Sequence, residues 1–175
     1  MENVDHRERR RPRALQVYSI GHSDHTVEAF LDLLRRHGVT VLVDVRSHPY
    51  SKYVPHFNRE RLSYELQAAG IRYVFLGEEL GGRPSDRSLY LFGEDRPDYQ
   101  LVRQTPEFLQ GIQQLLDLAA KEPLAMMCSE GDYHKCHRAM LITPVLLEVG
   151  ARVWHIEPDG TTVEAEPEPK QLSFL

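Results

Sequence analysis

The chain has 175 residues, 41% of them hydrophobic and 27% charged, with a formal net charge of −5. That length suits one domain with a substantial core and short tails. The negative balance argues against a protein that coats nucleic acid electrostatically, and no apolar run approaches the roughly 18–20 residues a membrane span needs.

Residues 1–13 carry charge where a signal peptide would carry an apolar core. A cytoplasmic location and no membrane partner are therefore expected. Cys128 and Cys136 are too few for a disulfide scaffold, so free thiols with a chemical or metal-binding role are expected. The charge is uneven: residues 6–13 form a basic stretch and residues 157–168 an acidic one.

In chain order, Gln16-Val-Tyr-Ser-Ile20 reads as a short strand ending at Gly21. Thr26 can cap a helix in which Val27, Phe30, Leu31 and Leu34 recur at helical spacing, and Gly38 closes it. Residues 39–45 are a near-continuous apolar run, as in a strand buried on both faces. Residues 47–56 are loop by their prolines. Asn58 looks like an N-cap, with Phe57 and Leu62 placed as a hydrophobic staple and Gly70 as the stop. Residues 72–76 read as a third strand. Residues 77–104 are a long irregular stretch holding Gly81, Gly82 and Arg83, of a kind that serves as a lid or binding loop.

Thr105 with Pro106 starts a helix whose core face is Phe108, Ile112, Leu115, Leu116 and Ala119. Residues 124–127 form a fourth strand. It runs into a loop holding Cys128, Glu130, Asp132 and His134. A helix is expected from about Cys136 to Glu148, kinked at Pro144 and ended by Gly150. Residues 152–156 make a fifth strand, and residues 161–165 a small edge strand after the Pro158-Asp-Gly160 turn.

Strand and helix alternate throughout. The pattern predicts an α/β fold: a single three-layer domain over residues 15–157, with a mostly parallel sheet of about five strands and helices on both faces. Residues 1–14 are then a basic flexible arm. Residues 158–175 hold a turn, an acidic proline-rich linker and a C-terminal peptide.

In open parallel sheets, ligands bind beyond the carboxyl ends of the strands. The chemically capable residues gather at those ends. The first strand delivers His22 and Ser23, the second Asp44 and Arg46 followed by Ser51, the third the loop with Gly81, Gly82 and Arg83, and the fourth Cys128 and Glu130. Arg46, Arg83 and Arg138 are expected to hold phosphate, helped by Ser23, Ser51 and the glycines. Glu130, Asp44, His22, His137 and the cysteines are expected to do the chemistry. Cys136, placed at a helix start beside His137 and Arg138, is the better candidate thiolate.

Three chemistries fit these residues. Thiolate catalysis would use a cysteine with His137 or His22 as base. A phosphatase or rhodanese loop brackets its Cys and Arg more tightly than Cys128 and Arg138 are spaced. Carboxylate acid–base catalysis would use Glu130 with Asp44. Zinc would be held by Cys128, His134, Cys136 and His22, although seven residues separate the cysteines and the common spacing is C-x₂₋₄-C. The working expectation is no cofactor, with zinc at Cys128 and Cys136 as the alternative.

The chain resembles the bacterial and archaeal family called domain of unknown function 488. Ser19-Ile-Gly-His22-Ser23, Leu42-Val-Asp44-Val-Arg46-Ser47, Gly70-Ile-Arg-Tyr73, Leu80-Gly-Gly82, Met127-Cys128-Ser-Glu130 and Cys136-His137-Arg138 carry the resemblance. It implies an α/β domain and brings no established activity.

The tail Gln171-Leu-Ser-Phe-Leu175 looks like the peptide that binds the bacterial DNA sliding clamp. Gln171 would make polar contacts, and Leu172, Phe174 and Leu175 would fill pockets. The expected function is an enzyme of hydrolase or transferase type on a nucleic-acid or nucleotide-derived anionic substrate, linked to DNA repair through the clamp. The alternatives are a rhodanese-like or phosphatase-like thiol enzyme on a small anion, and a non-enzymatic nucleotide-binding or adaptor domain.

Overall fold

The computed structural model describes residues 13–167. Its strands are β1 (Gln16–Gly21), β2 (Val41–Asp44), β3 (Arg72–Phe75), β4 (Leu124–Cys128), β5 (Arg152–Ile156) and β6 (Thr162–Glu164). They form one sheet in the order β3-β2-β4-β1-β5-β6. The first five run parallel, and β6 pairs antiparallel with β5 at the edge.

The helices are α1 (Val27–Arg36), α2 (Arg59–Ala68), α3 (Gly77–Leu80), α4 (Tyr99–Val102), α5 (Pro106–Ala119) and α6 (Thr143–Glu148). Side chains alternate across each strand. Val41 and Val43 of β2, with Leu124 and Met126 of β4, enter the core that takes Phe108 and Leu115 of α5 and Leu146 of α6. Leu42, Ala125 and Met127 enter the opposite core, with Phe30 and Leu34 of α1 and Leu62 and Leu66 of α2. Burying one such side chain contributes about 1.5–3 kcal/mol. These two cores and the sheet between them are the three expected layers.

Local chemistry sets the main helix ends. The Thr26 hydroxyl accepts the Ala29 amide at 3.1 Å, and Thr105 accepts that of Phe108 at 3.3 Å. Gly38 leaves α1 with φ +67°, the left-handed region glycine enters freely.

Two expectations change, and a third is met with added detail. Asn58 precedes α2, but its side-chain oxygen accepts the Ser51 amide at 2.7 Å and makes no cap bond. The stretch 77–104 is not wholly irregular, since α3, a 3₁₀ turn at Arg87–Leu89 and α4 lie within it. The helix expected from about Cys136 is present: the chain is helical from His137 to Glu148, and the extended Cys136 caps it, its carbonyl accepting the Ala139 and Met140 amides at 3.1 Å each. A 3₁₀ turn (Tyr133–Lys135) comes first, Cys136 is extended, and a π-helical turn (Arg138–Ile142) leads into α6, which has Pro144 in its first turn. Pro144 has no amide to offer the Met140 carbonyl, and the π-helical turn just before it is the local break expected there.

The chain passes from β1 to β2 to β3 over one face through α1 and α2. It returns through α5 to β4 and α6 to β5 over the other face, so every crossover has the same hand. β4 lies between β2 and β1, and its connection leaves toward the opposite face from theirs. The divergence opens a crevice at the carboxyl ends of these three strands. Among the described residues no helix is long and apolar enough to cross a membrane.

Candidate functional site

The end of β4 is clamped from both sides by backbone. Val45 donates to the Met127 carbonyl at 3.0 Å, His22 to that of Cys128 at 2.9 Å, and Ser23 to that of Ser129 at 2.9 Å. The β1–β4 ladder thus continues past the strands into their loops. Gly21 permits this closeness, because a Cβ there would collide with the Glu130 carbonyl.

Two sulfurs and an imidazole meet at this strand end. His137 Nδ1 lies 3.4 Å from Cys128 Sγ and 3.8 Å from Cys136 Sγ. The three potential ligand atoms all fall within 4.8 Å of one another. His137 Nε2 sits 2.8 Å from the Val45 carbonyl oxygen. A carbonyl only accepts, so Nε2 carries the hydrogen and Nδ1 faces the sulfurs. The ring is also held by Gly82, where an added Cβ would stand 2.7 Å from His137 Cγ.

Both cysteines are free and buried. The hydrogen bond from Cys136 holds the Cys128 thiol well below its usual range, helped by His137 and opposed by burial. The same hydrogen bond pushes Cys136 up, as do burial and the neighbouring Cys128 charge. Of the pair, Cys128 is therefore the more acidic thiol, where the sequence favoured Cys136. Cys136 does stand at the helix start, but the Cys128 contact and burial outweigh that position.

Beneath the cleft lies a closed polar unit. The Asp44 carboxylate is fully buried and takes four donors. These are Arg46 Nε at 2.9 Å, an Arg46 terminal nitrogen at 2.8 Å, the Arg46 amide at 3.1 Å and the Tyr73 hydroxyl at 2.6 Å. The other Arg46 terminal nitrogen donates to His22 Nε2 at 3.2 Å, and His22 Nδ1 donates to the Ser23 carbonyl at 2.8 Å. Burial lowers the His22 pKa to about 4, so its ring is neutral at pH 7. Asp44 and His22 are thus occupied within this unit, which positions Arg46 at the cleft wall.

Arg138 does not reach the cleft. It is 0% exposed, and one terminal nitrogen donates to the carbonyls of Glu130 at 2.8 Å and Gly131 at 3.2 Å. It props up the β4 loop from below and is not placed to hold substrate. Ser51 accepts the amides of Tyr53 and Val54 at 3.1 and 3.4 Å, shaping its own loop. Ser23 sits at φ +47° beside Gly131. Gly81 packs on Ser47, whose hydroxyl accepts the Arg83 amide at 2.9 Å. None of Ser23, Ser51 or Gly81 lines the cleft.

The cleft itself, about 280 Å³, brings together Cys128, Cys136, His137, Glu130, Gly82 and Arg83. The long loop and the β4 loop add Arg96, Lys135 and Tyr99, which the sequence reading did not single out. With Arg46 already paired to Asp44, three further cations, Arg83, Arg96 and Lys135, face two acids, Asp95 and Glu130. A basic cleft therefore sits in a chain of net charge −5. Arg96 and Lys135 give no spacing signal, because only the return of two separate loops brings them to the same place.

A mostly parallel sheet with a strand-end crevice at its switch point defines an α/β protein whose candidate site is carried by loops on a rigid scaffold. The chain belongs to the family described as domain of unknown function DUF488, whose model matches residues 26–144. That span contains the whole cleft described above, and leaves out His22 and Ser23. No curated protein and no solved structure matches the chain.

Proposed function

We propose that the chain is an enzyme of hydrolase or transferase type acting on a small anionic, phosphate-bearing substrate, such as a nucleotide or a nucleic-acid end. One observation supports the reading above the rest. The cations Arg83, Arg96 and Lys135 share a cleft with the Cys128–Cys136–His137 cluster. In this reading Arg83 and Arg96 neutralise the phosphate, Glu130 moves a proton, and the cluster forms the reacting centre. A cleft of about 280 Å³ suits a ligand of that size.

The test is calorimetric titration with inorganic phosphate and nucleoside monophosphates, alongside a phosphate-release panel. Alanine at Arg83 or Arg96 should weaken binding about tenfold each, the worth of one charge-assisted hydrogen bond. Binding that ignores both substitutions would sink the reading, and binding without turnover would favour the adaptor alternative.

A second reading makes Cys128 the nucleophile of a thiol enzyme on a small anion. It is supported by the 3.4 Å approach of His137 to Cys128. Rapid labelling of one cysteine by iodoacetamide in metal-free protein would support it, and inertness would remove it.

The link to the bacterial sliding clamp, and through it to DNA repair, rests on the sequence of the tail. Gln171, Leu172, Phe174 and Leu175 lie outside the described residues. Pull-down of the clamp by the full chain, lost on deleting residues 171–175, is the expected result. Retention after the deletion removes the link.

A further inference from the structure

We propose that Cys128, Cys136 and His137 bind one zinc ion and leave its fourth coordination position open to the cleft. The proposal rests on the enzyme reading above and names its reacting centre.

The donors come first. Two thiolates and an imidazole form a soft set that selects zinc over magnesium or calcium. The spacing comes second. A tetrahedral zinc has Zn–S of about 2.3 Å and Zn–N of about 2.0–2.1 Å, which separates N from S by about 3.5 Å. His137 Nδ1 stands 3.4 and 3.8 Å from the two sulfurs. Little movement would be needed to admit the ion.

The third observation is the orientation of the ring. A ligating histidine normally donates its other ring N–H to a carbonyl or carboxylate, which fixes the tautomer. Val45 supplies that carbonyl at 2.8 Å, and Gly82 leaves just enough room for the ring. The unprotonated face of the imidazole is then turned to the sulfurs.

The ligand set differs from the one the sequence suggested. His22 Nε2 already accepts from Arg46 at 3.2 Å, and His134 is exposed and paired with Asp132 at 2.9 Å. Two of the four expected ligands are thus engaged elsewhere, and His137 replaces them. Among the described residues the group has three members. Closed structural zinc sites have four protein ligands, whereas three with an open position is the catalytic pattern. The wide spacing of the cysteines follows from the fold. Cys128 ends β4, and the chain must pass through the Tyr133–Lys135 turn before Cys136 returns beside it. All three ligands line the cleft, next to Glu130 and the cations. Zinc there would acidify a bound water or polarise a substrate oxygen.

The test uses the full chain, purified under reducing conditions and stripped with a chelator. Zinc is titrated in competition with a chromophoric chelator, and cobalt(II) is added separately as a spectroscopic probe. One zinc per chain should bind with a dissociation constant of order nanomolar or tighter. Cobalt should give thiolate charge-transfer absorption and the intense visible bands of tetrahedral coordination. Cys136→Ser and His137→Asn should each weaken zinc about 100-fold or more, while Arg83→Ala leaves it unchanged.

Should either ligand variant misfold, wild-type protein still decides the matter, since bound zinc must shield both cysteines from iodoacetamide. Less than a tenth of an equivalent of zinc, octahedral cobalt, or undiminished affinity in Cys136→Ser would overturn the site. The two readings fail separately. Phosphate binding that persists in protein unable to take zinc removes the metal alone, and zinc binding without any phosphate affinity removes the substrate class alone.

Discussion

Replacing Asp44 with asparagine should unfold the protein far more readily while leaving the fold type intact. The carboxylate is wholly buried and Arg46 is only 6% exposed, so the substitution strands a cation in the interior. Arg46 loses both side-chain bonds to charged oxygen, at 2.9 and 2.8 Å, and the new amide turns hydrogens toward donors already there. The Tyr73 hydroxyl, 2.6 Å from the same carboxylate, loses a charged acceptor too. Removing one partner of a buried pair costs about 3–5 kcal/mol. That is a large share of the roughly 5–15 kcal/mol that holds a domain together. With a urea slope near 2 kcal/mol/M, the midpoint should fall by about 2 M. The assay is urea unfolding of the full chain followed by the fluorescence of Trp154 and by circular dichroism. A double variant, Asp44→Leu with Arg46→Met, should lose much less, because it removes the stranded charge along with its partner. A loss below about 1 kcal/mol in Asp44→Asn would refute the argument. Loss of activity at unchanged stability would make Asp44 a proton carrier.

Acid should weaken the fold through two histidines. Burial lowers His22 and His155 to about 4 each, while an unfolded histidine titrates near 6.5. The unfolded chain therefore takes up protons first as pH falls. Stability is full above about pH 6.5 and declines toward pH 4, by as much as about 3 kcal/mol per histidine. Urea midpoints between those limits should show the slope, and His155→Asn should flatten it; an unchanged slope would count against it. Gly82→Ala should keep the fold and weaken zinc at least tenfold, because the methyl group must displace a ring whose Cγ would stand 2.7 Å away. Wild-type affinity in that variant would show that the ring is not held there. Tyr73→Phe should cost about 1–2 kcal/mol in urea unfolding, the worth of one bond to a buried carboxylate; no change would mean water replaces the hydroxyl.

Periodicity made the layers legible. Residues 39–45 showed the unbroken apolar run of a strand covered on both faces, and Thr26 and Thr105 marked helix starts that their hydroxyls do cap. The wall of the site was legible where it lies at strand ends, as with Cys128 and Glu130. It was not legible where burial reverses a residue's habit. Arginine is almost always at the surface, so nothing in Cys136-His137-Arg138 announces that Arg138 is sealed under the loop. Asp132 gave no signal of its role: its carboxylate accepts the His134 amide at 3.0 Å and caps a single 3₁₀ turn just ahead of Cys136. Arg96 and Lys135 reach the cleft only through tertiary folding, which no local pattern encodes.

The hydrogen-bond ladder that runs past the ends of β1 and β4 has a consequence for variation. The path of residues 128–130 is fixed by main-chain bonds from His22 and Ser23 and by the Arg138 bond to the Glu130 carbonyl. The side chains of Ser129 and Glu130 do none of that work, and Glu130 projects into solvent at the cleft. Those two positions can therefore be exchanged without moving the strand end. Mutational scanning should find them tolerant for folding, while Gly21, where a Cβ would collide with the Glu130 carbonyl, should tolerate no substitution. The amides of His22 and Ser23, although they lie in loops, should exchange with deuterium as slowly as the sheet.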